Sequence, residues 1–267
     1  MPDPPASAPG SLARRLARCG PYYPVALLFL WGLPLLTASR LGLALWKAER
    51  VAESGMAWGE LLLQGVRADV VQVGLLAAPL ALLAPLLGSQ RTWTLWRRLA
   101  HGWVVLALLL LAYMEDATPG FVAKYDLRPN RIFVEYLRYP REVFTTLWEG
   151  HRLELLGSLL GTALFLRLAT RGLRSSLEVP SLWRLRTTLL AFPVVVFGLF
   201  AGIRSTAGHR AVNPAYFATS GDALVNSLVI NSTWSVVHAV YNLKHESKSS
   251  EIYGRLGHDE VLRLTGV

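Results

Sequence analysis

A chain of 267 residues that is 52% hydrophobic and only 17% charged, with nine tryptophans and a mean hydropathy of +0.35, is too apolar for an ordinary soluble domain. A formal charge of +9 raises nucleic acid as a partner, but no recognition motif and no aromatic-interleaved basic patch accompanies it, and most arginines adjoin apolar segments. The single Cys19 excludes an intramolecular disulfide.

Five segments are long enough to cross a hydrocarbon core, which takes about 20 helical residues. The first runs from Pro24 to Trp46, with Gly32 and Pro34 inside it and Arg40 near its end, where a long side chain is expected to snorkel. The second runs from Asp69 to Leu87 and contains Pro79 and Pro85; the third runs from Leu99 to Met114. The fourth, Leu155 to Leu166, is short and spans only if the flanking Glu154 and Arg167 snorkel. The fifth, Leu185 to Ile203, carries Pro193. On this reading ionisable residues sit at span ends, which argues against a transporter. Gly157 and Gly161 form a small-xxx-small face for close helix packing.

Loop charge sets the expected orientation. Arg14, Arg15 and Arg18 precede the first span; Arg91, Arg97 and Arg98 lie between the second and third; Arg171, Arg174, Arg184 and Arg186 lie between the fourth and fifth. Acids are nearly absent there, so these stretches are expected in the cytoplasm. Residues 1–23 then form a cytoplasmic tail, 24–203 a transmembrane domain and 204–267 an extracytoplasmic helical linker. The start reads as a retained anchor and not a cleaved leader, because the only small-residue site, Thr37-Ala38-Ser39, lies inside the apolar run. The loop 115–152 is as rich in Lys and Arg as an inside loop, so it fits outside only if its charges are paired in folded structure.

That loop holds the most informative strip, "DATPGFVAKYDLRPNRIFVEYLRYPREV". Thr118-Pro119-Gly120 reads as a turn. Arg128-Pro129-Asn130 starts a segment that groups Ile132, Phe133, Tyr136 and Leu137 on one helical side, and Pro140 begins a second amphipathic helix through Val143, Phe144 and Leu147. Such pieces, rich in aromatics and arginine, suit the headgroup layer. Arg128, Arg131, Arg138 and Lys124 are candidate ligands for an anionic lipid headgroup, because arginine matches phosphate with a two-pronged fork. The competing reading pairs them locally with Asp126, Glu135 and Glu142. Glu115 and Asp116 read as interfacial anchors. In the tail, Asn213-Pro214 signals a helix start and Ser220, Gly221 and Asp222 a break and cap. An apolar face through Leu224, Leu228, Trp234, Val237 and Tyr241 then predicts a surface-hugging helix.

Familiar catalytic signatures are missing: no glycine-rich phosphate loop, no Gly-x-Ser-x-Gly, no His-Glu-x-x-His. His238 and His245 share a helix face but lack a third ligand, and Asn231-Ser232-Thr233 matches a glycosylation triplet that arises often by chance.

The strip, together with "GHRAVNPAYFATSGDALVNSLVINSTWSVVHAVYNLKHE" after the fifth span, resembles the amino-terminal membrane region of the bacterial lipoteichoic acid synthase-like phosphoglycerol transferases, of the sulfatase superfamily. The resemblance implies an all-α domain of five transmembrane helices in the bacterial inner membrane, with its amino terminus in the cytoplasm. It also implies a helical linker leading to an extracytoplasmic catalytic domain, in which a Thr or Ser nucleophile and a divalent metal, Mn or Mg, act on phosphatidylglycerol. No residue here matches that nucleophile or its metal ligands, so the chain reads as anchor and lipid-facing platform, with no catalytic residue and no cofactor of its own. The alternative is a non-enzymatic membrane scaffold.

Overall fold

The computed structural model describes residues 18–177, 183–209 and 212–252, with Leu16 and Arg263. Arg14, Arg15 and the polar tail beyond 252 lie outside the described residues apart from Arg263. A 3-10 turn, Gly20–Tyr22, leads into α1 (Tyr23–Trp46), followed by α2 (Ala48–Glu53), α3 (Trp58–Leu87), α4 (Trp93–Asp116), α5 (Thr118–Tyr125), α6 (Arg131–Tyr136), α7 (Pro140–Gly150), α8 (Arg152–Leu177) and α9 (Leu185–Arg204). A second 3-10 turn, Pro214–Phe217, precedes α10 (Ala223–Val229) and α11 (Ser232–Ile252). Among the described residues there is no strand.

Five helical stretches are long and apolar enough to cross a membrane: Gly20–Trp46, Trp58–Leu87, Trp93–Tyr125, Arg152–Arg171 and Leu185–Arg204. The chain is an all-α, multi-pass membrane protein. α1 packs between α3 and α4, α9 lies along α3, and α8 lies along α4. Lipid chains are as apolar as leucine, so these contacts rest on close fit and not on a hydrophobic drive. Gly32 admits Val73, Gly74 admits Ile203, and Gly202 admits Val70; a Cβ at Gly74 would stand 2.9 Å from Ile203. The outward apolar side chains of α8 and α9, among them Leu160, Leu190, Val194 and Phe197, are exposed and suited to lipid. Below, the near end of the bundle is where α1 begins and the far end is where it finishes.

Several expectations change. The second and third spans begin earlier than the sequence suggested, at Trp58 and Trp93 instead of Asp69 and Leu99. Asp69 looked like a boundary because an isolated carboxylate in hydrocarbon is costly. It lies inside α3 because Arg40 neutralises it. The fourth span is a full helix and not a marginal stub, and Gly161 lets it approach Asp116. Thr118-Pro119-Gly120 opens α5 instead of a turn; proline in a first helical turn forfeits no hydrogen bond. The expected surface helix of the tail is two helices, bent by 106° between Ala223–Val229 and Ser232–His245, and the first of them is packed inward.

Candidate functional site

The bend between α10 and α11 occupies the far end of the bundle, and three spans supply the groups that satisfy it. Breaking a helix frees carbonyls at the end of the first half and N–H groups at the start of the second, and such groups need partners away from water. Leu228, near the end of α10, offers its carbonyl to Arg40 Nε at 3.2 Å. Ser232, first in α11, donates its backbone N–H to Glu115 Oε1 at 2.9 Å. A cation thus meets the negative end of one half-helix and an anion the positive start of the other, the arrangement helix dipoles favour. Asn231 joins both halves of the arrangement. Its Oδ1 accepts from the Trp234 N–H at 2.9 Å, capping α11, and its Nδ2 donates to Asp69 Oδ1 at 3.2 Å.

Two ion pairs hold the knot together. Arg40 donates through Nη1 to Asp69 Oδ2 at 2.8 Å and through Nη2 to Oδ1 at 2.7 Å, with both side chains fully buried. Gly65 makes this possible: a Cβ there would stand 2.3 Å from Arg40 Nε. In the second pair, Arg128 Nη1 donates to Glu115 Oε2 at 2.7 Å and to Ser232 Oγ at 3.0 Å. Ser39 also donates to Glu115, and Thr118 Oγ1 shares a 2.6 Å hydrogen bond with Ser232 Oγ. Arg128 Nε and Nη2 and Thr233 Oγ1 are buried without a protein partner, so this pair is tied less completely than the first. The triplet Asn231-Ser232-Thr233 is buried, which shuts it off from a glycosylating enzyme.

Above the knot lies a partly exposed clasp. Arg50, in α2, donates to Asp126 Oδ2 at 2.6 Å and to Asp222 Oδ2 at 2.7 Å, and Lys47 reaches Asp126 at 3.4 Å. Asp222 also caps α10 by accepting from Val225 N–H at 3.0 Å. Both aspartates are held below the usual carboxylate range, first by their hydrogen bonds to Arg50. Arg67 ties the end of α9 down, donating to Ser205 Oγ at 2.8 Å and lying over the ring of Tyr216.

The four cations singled out from the strip separate. Arg128 is inside the knot, 1% exposed. Arg131 is exposed and pairs with Glu135 one turn on, at 2.9 Å. Arg138 is exposed, and Lys124 lies over the ring of Tyr125. Neither Arg40 nor Glu115 behaves as sequence reading expected: Arg40 does not snorkel, and Glu115 is a buried ligand of Arg128 instead of an interfacial anchor. The missed residues are Arg40, Asp69, Glu115, Asn231 and Ser232. One signal could have found the first pair, an arginine and an aspartate embedded in consecutive apolar segments, since charges at that depth are held together or not at all.

No known protein-family profile matches the chain, and no solved structure matches it. Among the described residues no three His, Cys, Asp or Glu side chains cluster as metal ligands would, so these residues do not fit the divalent metal of the family that the chain resembles. Every oxygen of Asp69 and Glu115 is engaged, and the chain after the fifth span is fixed to the spans.

Proposed function

We propose that the protein is the membrane anchor and lipid-facing platform of a phosphoglycerol transferase of the sulfatase-like type. That transferase acts on phosphatidylglycerol-type lipid at the outer face of the bacterial inner membrane, and the anchor has its amino terminus in the cytoplasm. The observation that carries this reading is the attachment of the segment after the fifth span: α10 and the first turn of α11 are bonded to α1, α2, α3, α4 and the strip through Arg40, Arg50, Asp69, Glu115 and Arg128. A simple tether needs no such bonding. A segment held this rigidly gives whatever lies beyond it a fixed height and direction over the lipid surface, as an enzyme that draws its substrate from that surface requires.

Two further observations agree. The near end of the bundle, with Arg18, Arg91, Arg97, Arg98, Arg184 and Arg186 and no acid in residues 18–22, 88–98 or 183–188, suits the cytoplasm. At the far end, Arg128 and Arg131 of the loop are paired with carboxylates, which supports an outer location. Arg138 and Lys124, both exposed, are then the cations of the strip within reach of lipid phosphate, beside the exposed Tyr136, Tyr139, Phe144 and Trp148.

The test is to tag the amino terminus in native membranes, blot for mass, and assay the same membranes for transfer of glycerol phosphate from phosphatidylglycerol. A product well above 29.5 kDa with transfer that drops at least threefold in Lys124→Gln/Arg138→Gln is expected. A product at 29.5 kDa with no transfer would replace the reading with that of a scaffold serving a separate protein.

A further inference from the structure

The near end of the bundle contains a cavity unrelated to the knot. It has a volume of about 250 Å³ and lies between the turn joining α3 to α4 and the start of α9, lined by Gly88, Ser89, Gln90, Trp183, Arg184 and Thr188 among others. That is below the ~300–1,000 Å³ of pockets that enclose a drug-sized molecule, so it admits a headgroup and not a whole large ligand.

Its walls are fixed. Trp183 stands against Gly20, where a Cβ would come within 2.3 Å of the indole, and Gly20 has the positive φ of +55° that glycine tolerates. The same indole meets the ring of Tyr22 edge-on at 6.2 Å, and Tyr22 OH donates to the Thr188 carbonyl at 2.9 Å.

Its polar groups include several donors. α9, whose first residue Leu185 lines the cavity, has Arg184 as N-cap, and among the described residues no side chain caps its first turn and no acid lies in it, so its leading N–H groups are left for another acceptor. Arg184 brings a guanidinium, and the Gln90 side chain has no hydrogen-bond partner among the described residues. Ser89 contributes less, because Thr92 donates to the Leu87 carbonyl and so takes the Ser89 hydroxyl as its donor. Arg91, Arg97, Arg98 and Arg186 add a positive field with no described acid in the same stretches.

We propose that this cavity binds the phosphate of an anionic phospholipid from the leaflet at the near end, the cytoplasmic leaflet on the orientation proposed above. A lipid fits better than a free anion because the cavity opens onto apolar surface: Leu185 lines it and is exposed, and Leu86, Leu189 and Leu190 continue the exposed strip down the spans where acyl chains would run. The phosphate accepts from the first turn of α9 and from Arg184, while Trp183 walls the glycerol.

The full chain, purified in detergent, is heated with added phosphatidylglycerol or phosphatidylcholine, and bound lipid is counted by native mass spectrometry. Phosphatidylglycerol is expected to raise the midpoint over phosphatidylcholine in the wild type and in Arg98→Gln, whose arginine lies outside the cavity. Arg184→Gln and Gln90→Trp, which fills the space, should each lose at least half of that rise and of the retained lipid, with midpoints in phosphatidylcholine unchanged. Should either variant fail to fold, the other decides. Equal rises in wild type, Arg184→Gln and Gln90→Trp would overturn the site. So would a loss in Arg98→Gln as large as in Arg184→Gln, which marks diffuse attraction, or an equal rise from inorganic phosphate. Orientation plays no part in this measurement, so its failure leaves the transferase reading untouched.

Discussion

Asp69 accepts three hydrogen bonds and Arg40 donates three, all within a site shut off from water. The energetic consequence is asymmetric. Forming a buried pair roughly balances desolvation against attraction, but removing one partner leaves an uncompensated charge and costs about 3–5 kcal/mol. Asp69→Leu alone is therefore expected to lose that much stability, and Arg40→Met/Asp69→Leu to recover most of it, read as unfolding midpoints in a detergent titration. A double variant as damaged as the single would show that the knot contributes through its hydrogen bonds to Leu228 and Asn231 and not through the charge pair. The same comparison at Glu115 and Arg128 should give the smaller effect, since Arg128 leaves two nitrogens without a protein partner.

Elements far apart in sequence meet through Arg50, which lies in α2 and binds the residue after α5 and the cap of α10. Because the folded state lowers the pKa of Asp126 and Asp222, the stabilisation is complete above the unfolded value of about 3.9 and disappears as pH falls through the lower folded values. The gap in melting midpoint between wild type and Arg50→Gln is thus expected to stay constant from neutral pH down to about 5, to narrow below about 4, and to shrink with added salt, as partly exposed pairs do. A gap that widens on acidification would reverse the assignment. The caps that frame these elements were legible from sequence because they are local: Asn130 accepts from Ile132 N–H, Asn213 from Tyr216 N–H and Asp222 from Val225 N–H. The five spans were legible for the same reason, from runs of apolar residues. The inward packing of α10 was not. Its apolar pattern, Leu224 and Leu228, fits a lipid surface as well as a protein interior, and the choice is made by Arg40, Asp69 and Glu115, whose partners in residues 228–232 lie more than a hundred residues away.

At the scale of the whole molecule, the two ends of the bundle differ in how they carry positive charge. At the near end, arginines crowd with no acid among the described loop residues; at the far end, Arg50, Arg128 and Arg131 are set against Asp126, Glu115 and Glu135. Basic residues orient a membrane protein when they are free to resist translocation, so a rule that merely counts them would treat the two ends alike. If folded pairing is what distinguishes them, the far end faces outward. With Cys19 replaced by serine, single cysteines at the exposed Thr145 and Gly221 are expected to react with a membrane-impermeant maleimide on intact cells, whereas one at Arg98 should react only after the membrane is opened. Thr145 and Gly221 sit on opposite sides of the fourth and fifth spans in sequence but at the same end of the bundle, so their joint labelling also tests whether both spans cross. Labelling of Thr145 without Gly221 would mean that one of them does not, and labelling of Arg98 alone would invert the protein. Inversion would place the knot, and whatever α11 leads to, in the cytoplasm, where phosphatidylglycerol at the outer face is out of reach.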